Sequence, residues 1–157
     1  MNEHLERYKK ISDSIIKKAF IVLKGRRLIY IERKFKYFGK AINLGFFNVI
    51  IINPVLRTFS DKELKGFFAH ELSHIQRHQA RNLSKKISFI INYLISEKFR
   101  RWEEGEADKL TIKKGYGQEL YALMRKSYGV SKEHEKRLKS SHLSLKEIKL
   151  YIKRNKT

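Results

Sequence analysis

The stretch Phe67-Phe68-Ala69-His70-Glu71-Leu72-Ser73-His74 constrains this chain more than any other part of it. Two histidines stand four residues apart in an otherwise apolar segment, with a glutamate directly after the first. Upstream, Ser60 and Glu63 are spaced as a capping box, in which each side chain satisfies a free amide at a helix start. A long helix is therefore expected from Asp61 to about Arg81. At 3.6 residues per turn, His70 and His74 lie one above the other, and both imidazoles can reach one metal ion at about 2.0–2.1 Å. Glu71 takes the neighbouring position on that face. It is close enough to touch a metal-bound water without competing for the metal, as a general base requires. Lewis acidity brings the pKa of such a water to roughly 7, and a carboxylate can then accept its proton as hydroxide attacks a carbonyl.

Composition sets the chemical terms. The chain has no cysteine, so any metal must be held by imidazole and carboxylate. Its 157 residues, 41% of them hydrophobic, suit one domain with a real core. We read that domain as a basic N-terminal helix and first strand over 1–40, a catalytic core over 41–123 and a basic helical segment over 124–157. The N-terminus MNEHLERYKK carries charge where a secretory leader needs an apolar core, and no run approaches the about 20 apolar residues of a membrane span. A soluble, cytoplasmic protein is the expectation. The net charge of +20 raises the question of an anionic membrane or nucleic acid as partner. It is concentrated in the flanks, with 12 basic and 4 acidic side chains in residues 1–40 and 11 and 3 in residues 124–157. Solvated helix faces are the blander account of that pattern.

Catalytic zinc takes three protein ligands and leaves one position for water. His78 continues the i+4 series, but about 12 Å of helix axis separates it from His70, and it reads as an exposed helical histidine. His134 and His142 are further candidates without an obvious partner nearby. The stronger candidate is Trp102-Glu103-Glu104-Gly105-Glu106-Ala107-Asp108. Glu104 and Asp108 share one face of a second helix, so one carboxylate can bind the metal while the other accepts from the free ring nitrogen of a ligand histidine. The alternative is an acidic cluster that balances Arg100, Arg101, Lys109, Lys113 and Lys114 on a solvated helix.

Elsewhere, apolar positions Leu5, Tyr8, Ile11, Ile15, Ile16, Ala19 and Phe20 predict a helix over 3–20. Strands are expected at Leu28–Ile31 and, more strongly, at Asn48–Asn53, closed by Pro54.

His70-Glu71-x-x-His74 followed by Glu104-x-x-Ala107-Asp108 resembles the gluzincin zinc metallopeptidases of the HtpX and CAAX prenyl protease family and their small soluble relatives. The resemblance runs over roughly residues 40 to 150. It extends to the strand before Ser60-Asp61-Lys62-Glu63-Leu64 and to a glutamate helix ending in Gly115-Tyr116. It implies an α+β, zincin-like domain: a short mixed or antiparallel sheet with an edge strand over the zinc helix, then the glutamate helix and C-terminal helices. It implies that His70, His74 and Glu104 bind one Zn2+, that Glu71 is the general base and that Asp108 supports a ligand histidine. It further implies that the strand of Val49, Ile50, Ile51, Ile52 and Asn53 forms the rim along which an extended protein or peptide substrate adds as a further strand.

The expected activity is that of a metalloendopeptidase. Two departures accompany it. The family's His-Pro pair with an arginine six residues after the histidine is reduced here to His142, with Leu143 and Ile148 at the other two positions. His142 is a candidate for polarising the scissile carbonyl, with Tyr116 and Tyr121 as the other candidates. The second departure is the interval between the two motifs, where membrane-bound relatives often carry a span. Its apolar run, Ile87 to Ile95, is too short to cross a bilayer. It reads as a buried segment on the metal helix, or else as a surface patch beside Lys85, Lys86, Lys98, Arg100 and Arg101. Two functional alternatives remain. One is a basic membrane- or nucleic-acid-binding module with a structural or vestigial zinc site. The other is a latent protease masked by its segment from His142 to Thr157.

Overall fold

The computed structural model describes residues 3–35, 37–44, 47–79 and 83–155. The chain opens with helix α1 (Glu3–Ala19) and builds a three-stranded sheet from β1 (Arg27–Glu32), β2 (Gly39–Asn43) and β3 (Phe47–Ile52). Helix α2 (Asp61–Gln79) follows and carries the opening motif. Then come α3 (Leu83–Ile95), α4 (Glu97–Thr111), α5 (Gly117–Tyr128), α6 (Lys132–Ser141) and α7 (Leu145–Arg154). The result is the small α+β domain expected, with a mixed sheet. The strand order is β1-β3-β2, with β1 parallel and β2 antiparallel to β3.

That order corrects one expectation. The strand from Val49 to Ile52 is not the free edge: β3 is bonded on both sides, and Asn53 lies just past it. The cause is the strength of its own signal. Phe47-Asn48-Val49-Ile50-Ile51-Ile52 is rich in β-branched side chains, and such a strand is most stable where both edges are paired and its faces are covered. Ile50 and Ile52 are buried in the core. The edge falls to Gly39-Lys40-Ala41-Ile42-Asn43, which packs on α2. Leu44 N–H bonds Phe47 O, and Asn53 N–H bonds Phe38 O. With that alternation, Gly39, Ala41 and Asn43 turn their amides and carbonyls to the open side. Asn53 braces the approach to β2: its side-chain amide donates to Phe35 O and Tyr37 O, and its oxygen accepts from Val55 N.

Helix α2 is the centre of the molecule, packed on α1, α4, α5 and β2. Its start is the expected capping box, with Ser60 N–H donating to Glu63 Oε2 at 2.7 Å. Leu64, Phe67, Phe68, Leu72 and Ile75 are buried around it. At Gly66 the backbone of α5 comes so close that a Cβ would stand 2.3 Å from Glu119 O, so no side chain fits there. Gly115, at φ +89, ends the α4 stretch in a conformation that favours glycine.

Segment α3 divides between the two descriptions given for Ile87–Ile95, with an inner face on the site and an exposed outer face. Phe89 and Tyr93 are turned inward, and the Phe89 ring lies 4.3 Å from that of His78. Leu94 and Ile95 are 70% and 76% exposed, so the segment is not buried on the metal helix as a whole. Among the described residues, no helix is long and apolar enough to cross a membrane. The C-terminal segment packs inward: Ile148 and Ile152 are buried, and α7 lies on α5.

Candidate metal centre

Helices α2 and α4 meet where their polar positions coincide. Ser73 Oγ and Thr111 Oγ1, both buried, are 2.9 Å apart, within reach of Ala69 O and Ala107 O of their own helices, so one hydroxyl donates across the pair and the other to its own helix. This pair sets the two helices in register. Ser96 caps α4 by accepting from Phe99 N.

Three atoms then converge. Glu104 Oε2 lies 3.2 Å from His70 Nε2 and 3.1 Å from His74 Nε2, and the two nitrogens are 3.1 Å apart. Ligands held at about 2.0–2.1 Å in tetrahedral geometry stand about 3.3–3.4 Å from one another. The triangle therefore fits a zinc-sized ion with very little movement. Its two imidazoles and one carboxylate are a donor set that zinc accepts.

Carboxylates and a phenol surround the triangle. His70 Nδ1 stands 2.9 Å from Asp108 Oδ1, a fully buried carboxylate. Asp108 Oδ2 also accepts from Leu143 N at 3.0 Å and lies 3.3 Å from His142 Nδ1. His142 is thus brought to the site, with its Nε2 3.8 Å from Glu104 Oε2. Its ligating nitrogen is also close enough to His70 and Glu104 for the three to share an ion. Behind His74 lies Glu103, fully buried, with one oxygen 3.8 Å from His74 Nδ1. Arg77 holds Glu103 through two bonds, of 3.2 and 2.9 Å. On the remaining side, Tyr93 donates to Glu104 Oε1 at 2.7 Å.

The charges agree with the distances. Burial works against charging His70 and His74, but the carboxylates beside them win. His70 is held well above the usual imidazole value by Asp108 and Glu104, and His74 is pushed up to about 9 by Glu104 and Glu103. Glu104 is held well below the ordinary carboxylate range despite its burial, by His74 and His70. Asp108 is lowered likewise, His142 leading. Glu71 behaves differently. Burial raises it, and the two histidines and an Ala41 backbone bond offset only part of the rise.

A further comparison decides the family. The sequence model of Peptidase family M48 matches residues 37–137. The chain belongs to peptidase family M48. No curated protein and no solved structure matches it. Within the M48 match lie β2, β3, the whole of α2 and α4, and Tyr93. His142 lies beyond it.

Of the residues named from sequence, His70, Glu71, His74, Glu104, Asp108 and His142 come together on this M48 framework. Tyr116 is buried in the core, and Tyr121 lies under the Lys149 ammonium, whose nitrogen is 5.1 Å from the ring centroid. His78 is half-buried, 3.7 Å from Glu103, rather than exposed. The side chain of His134 and the residue Arg81 lie outside the described residues. The sequence reading passed over Tyr93, Glu103 with Arg77, and Ala41. Only Glu103 carried a signal, its place between Trp102 and Glu104.

Proposed function

We propose that this M48 chain is a zinc-dependent metalloendopeptidase of the gluzincin type. The observation that carries the reading is the His70–His74–Glu104 triangle, sized for one Zn2+ and flanked by a buried carboxylate, Glu71, that stays basic enough to exchange a proton. Bound there, zinc would supply the Lewis acidity that makes water nucleophilic near neutral pH and polarises a carbonyl.

The chain's own residues account for the rest. His70, His74 and Glu104 hold the ion, and Asp108 orients His70. An extended peptide adds as a further strand at the open side of β2, bonding the outward groups of Gly39 and the Ala41 carbonyl while the Ala41 amide holds Glu71. That places a substrate carbonyl beside Glu71, because the Ala41 backbone already bonds that carboxylate. Glu71 takes the proton from water and returns it to the departing amine nitrogen, so no net proton is consumed at the enzyme. Its burial, which raises its pKa, suits both halves of the transfer. His142, anchored through Nδ1 to Asp108, offers Nε2 toward the developing oxyanion.

The test is cleavage of casein or a quenched peptide library before and after metal removal by a strong chelator. Loss of cleavage with recovery on adding one equivalent of zinc is expected. Cleavage that persists in fully stripped protein would falsify the reading.

A further inference from the structure

Glu104 has two oxygens, and only one belongs to the triangle. Oε2 faces both histidine nitrogens. Oε1 accepts the Tyr93 hydroxyl at 2.7 Å. A carboxylate with a free second oxygen can turn and bind an ion through both, which uses up a coordination position. We propose that Tyr93 is a positioning residue: by occupying Glu104 Oε1 it keeps Glu104 a one-oxygen ligand and leaves a position open for the reacting water. This inference rests on the metal-centre reading above.

Several features fix Tyr93 in that role. It comes from α3, a different helix from those of the histidines and Glu104, so its hydroxyl position does not follow from the ligand helices. Phe89, one turn earlier, packs its ring 5.6 Å from that of Tyr93 and 5.5 Å from that of Phe99 on α4. Arg100 Nη1 donates to Tyr93 O and Leu94 O, tying the end of α3 to α4. The outward residues Ile91, Leu94 and Ile95 are exposed, so the inner face, with Phe89 and Tyr93, is what joins α3 to the site. Three supports then surround the triangle on separate sides: Asp108 at His70, Glu103 at His74 and Tyr93 at Glu104.

The experiment uses the full chain stripped of metal. Zinc affinity is read by chelator competition, and coordination number by the visible spectrum of the cobalt(II) form. Four proteins are compared: wild type, Tyr93→Phe, Glu104→Ala and the double variant. Tyr93→Phe keeps the ring and its packing. It is expected to weaken zinc binding about 10–100-fold, the usual cost of losing a group that orients a ligand. Its cobalt spectrum should weaken toward that of a five-coordinate ion. In the Glu104→Ala background, where the weakened site is loaded with excess metal, the same substitution should change neither readout. Equal zinc affinity and superimposable spectra for wild type and Tyr93→Phe would overturn the inference alone. So would a loss of the same size in the Glu104→Ala background, since the effect would then not pass through Glu104. Should Tyr93→Phe fail to fold, 3-fluorotyrosine at position 93 keeps the shape and makes the hydroxyl a stronger donor. A shifted cobalt spectrum is expected from it, and an unchanged one overturns the proposal. Failure of the wild type to bind zinc at all defeats the metal-centre reading, and this inference with it.

Discussion

At the scale of single residues, the site is a set of charges that stabilise one another before any ion arrives. His70 and His74 have raised pKa values, so their contribution to folding is fully present below the unfolded value of about 6.5 and is lost as pH rises through the folded value, about 9 for His74. Glu104 and Asp108 are depressed, so their contribution is present above about pH 4 and is lost on acidification below it. The metal-free protein should therefore be most stable between about pH 4.5 and 6.5 and weaken toward pH 9, which thermal melts across that range will read. Zinc must displace the protons of both imidazoles, so its affinity should climb over the same interval, with proton release visible by calorimetry in buffers of different ionisation enthalpy. Asp108→Asn removes the charge that faces both His70 and His142. It should cost about 10–100-fold in zinc affinity by chelator competition, with no change of fold. The residues legible in the sequence are those with a helical period: His70 with His74, and Glu104 with Asp108. His142 was legible only through the family resemblance and Tyr93 not at all, because the packing of α3 and of the chain after α6 brings them to the cluster.

At the scale of elements, helix signals translated nearly to their ends, and the strand signals located β1 and β3 but not their order in the sheet. The capping box at Ser60 and the apolar period of α1 predicted α2 and α1 nearly to their ends, because helix formation is governed by local spacing. Strand β2 carries no such local signal. Gly39, Lys40, Ala41 and Asn43 have low β propensity, and the strand exists through its pairing with β3 and its packing on α2. The strongest strand signal belongs to β3, whose β-branched sequence places it in the middle of the sheet rather than at its edge. Substrate alignment on β2 makes a specific prediction. Ala41→Pro removes an amide that bonds no neighbouring strand but holds the Glu71 carboxylate. Stability should fall by about 1–3 kcal/mol, the cost of leaving the buried Glu71 acceptor unpaired, and kcat/KM should fall by about tenfold or more. Steady-state kinetics beside a thermal melt separate the two. A loss of Tm without a loss of kcat/KM would place the substrate elsewhere.

At the scale of the whole molecule, the basic C-terminal segment is part of the body of the protein. Ile148 and Ile152 are buried against α5, Ile152 packing where Gly117 leaves room, and the Leu143 amide holds the carboxylate of Asp108. Burying the two isoleucines contributes about 3–6 kcal/mol, a large share of the 5–15 kcal/mol that typically holds a domain together. Removal of residues 143–157 should therefore lower Tm by well over 10 °C and reduce activity, where unmasking of a latent enzyme would raise it. Calorimetry and peptide cleavage on the shortened chain distinguish these outcomes. The central claim is that one zinc ion and Glu71 act together at the α2–α4 junction. Zinc content of purified wild type, Glu71→Gln and Glu104→Ala, with casein digested in parallel, tests it most directly. The account predicts near-equimolar zinc in wild type and Glu71→Gln, its loss from Glu104→Ala, and cleavage by the wild type, with Glu71→Gln slower by about 10²–10⁴-fold. Undiminished cleavage by Glu71→Gln, or zinc retained at full stoichiometry and affinity by Glu104→Ala, would contradict it.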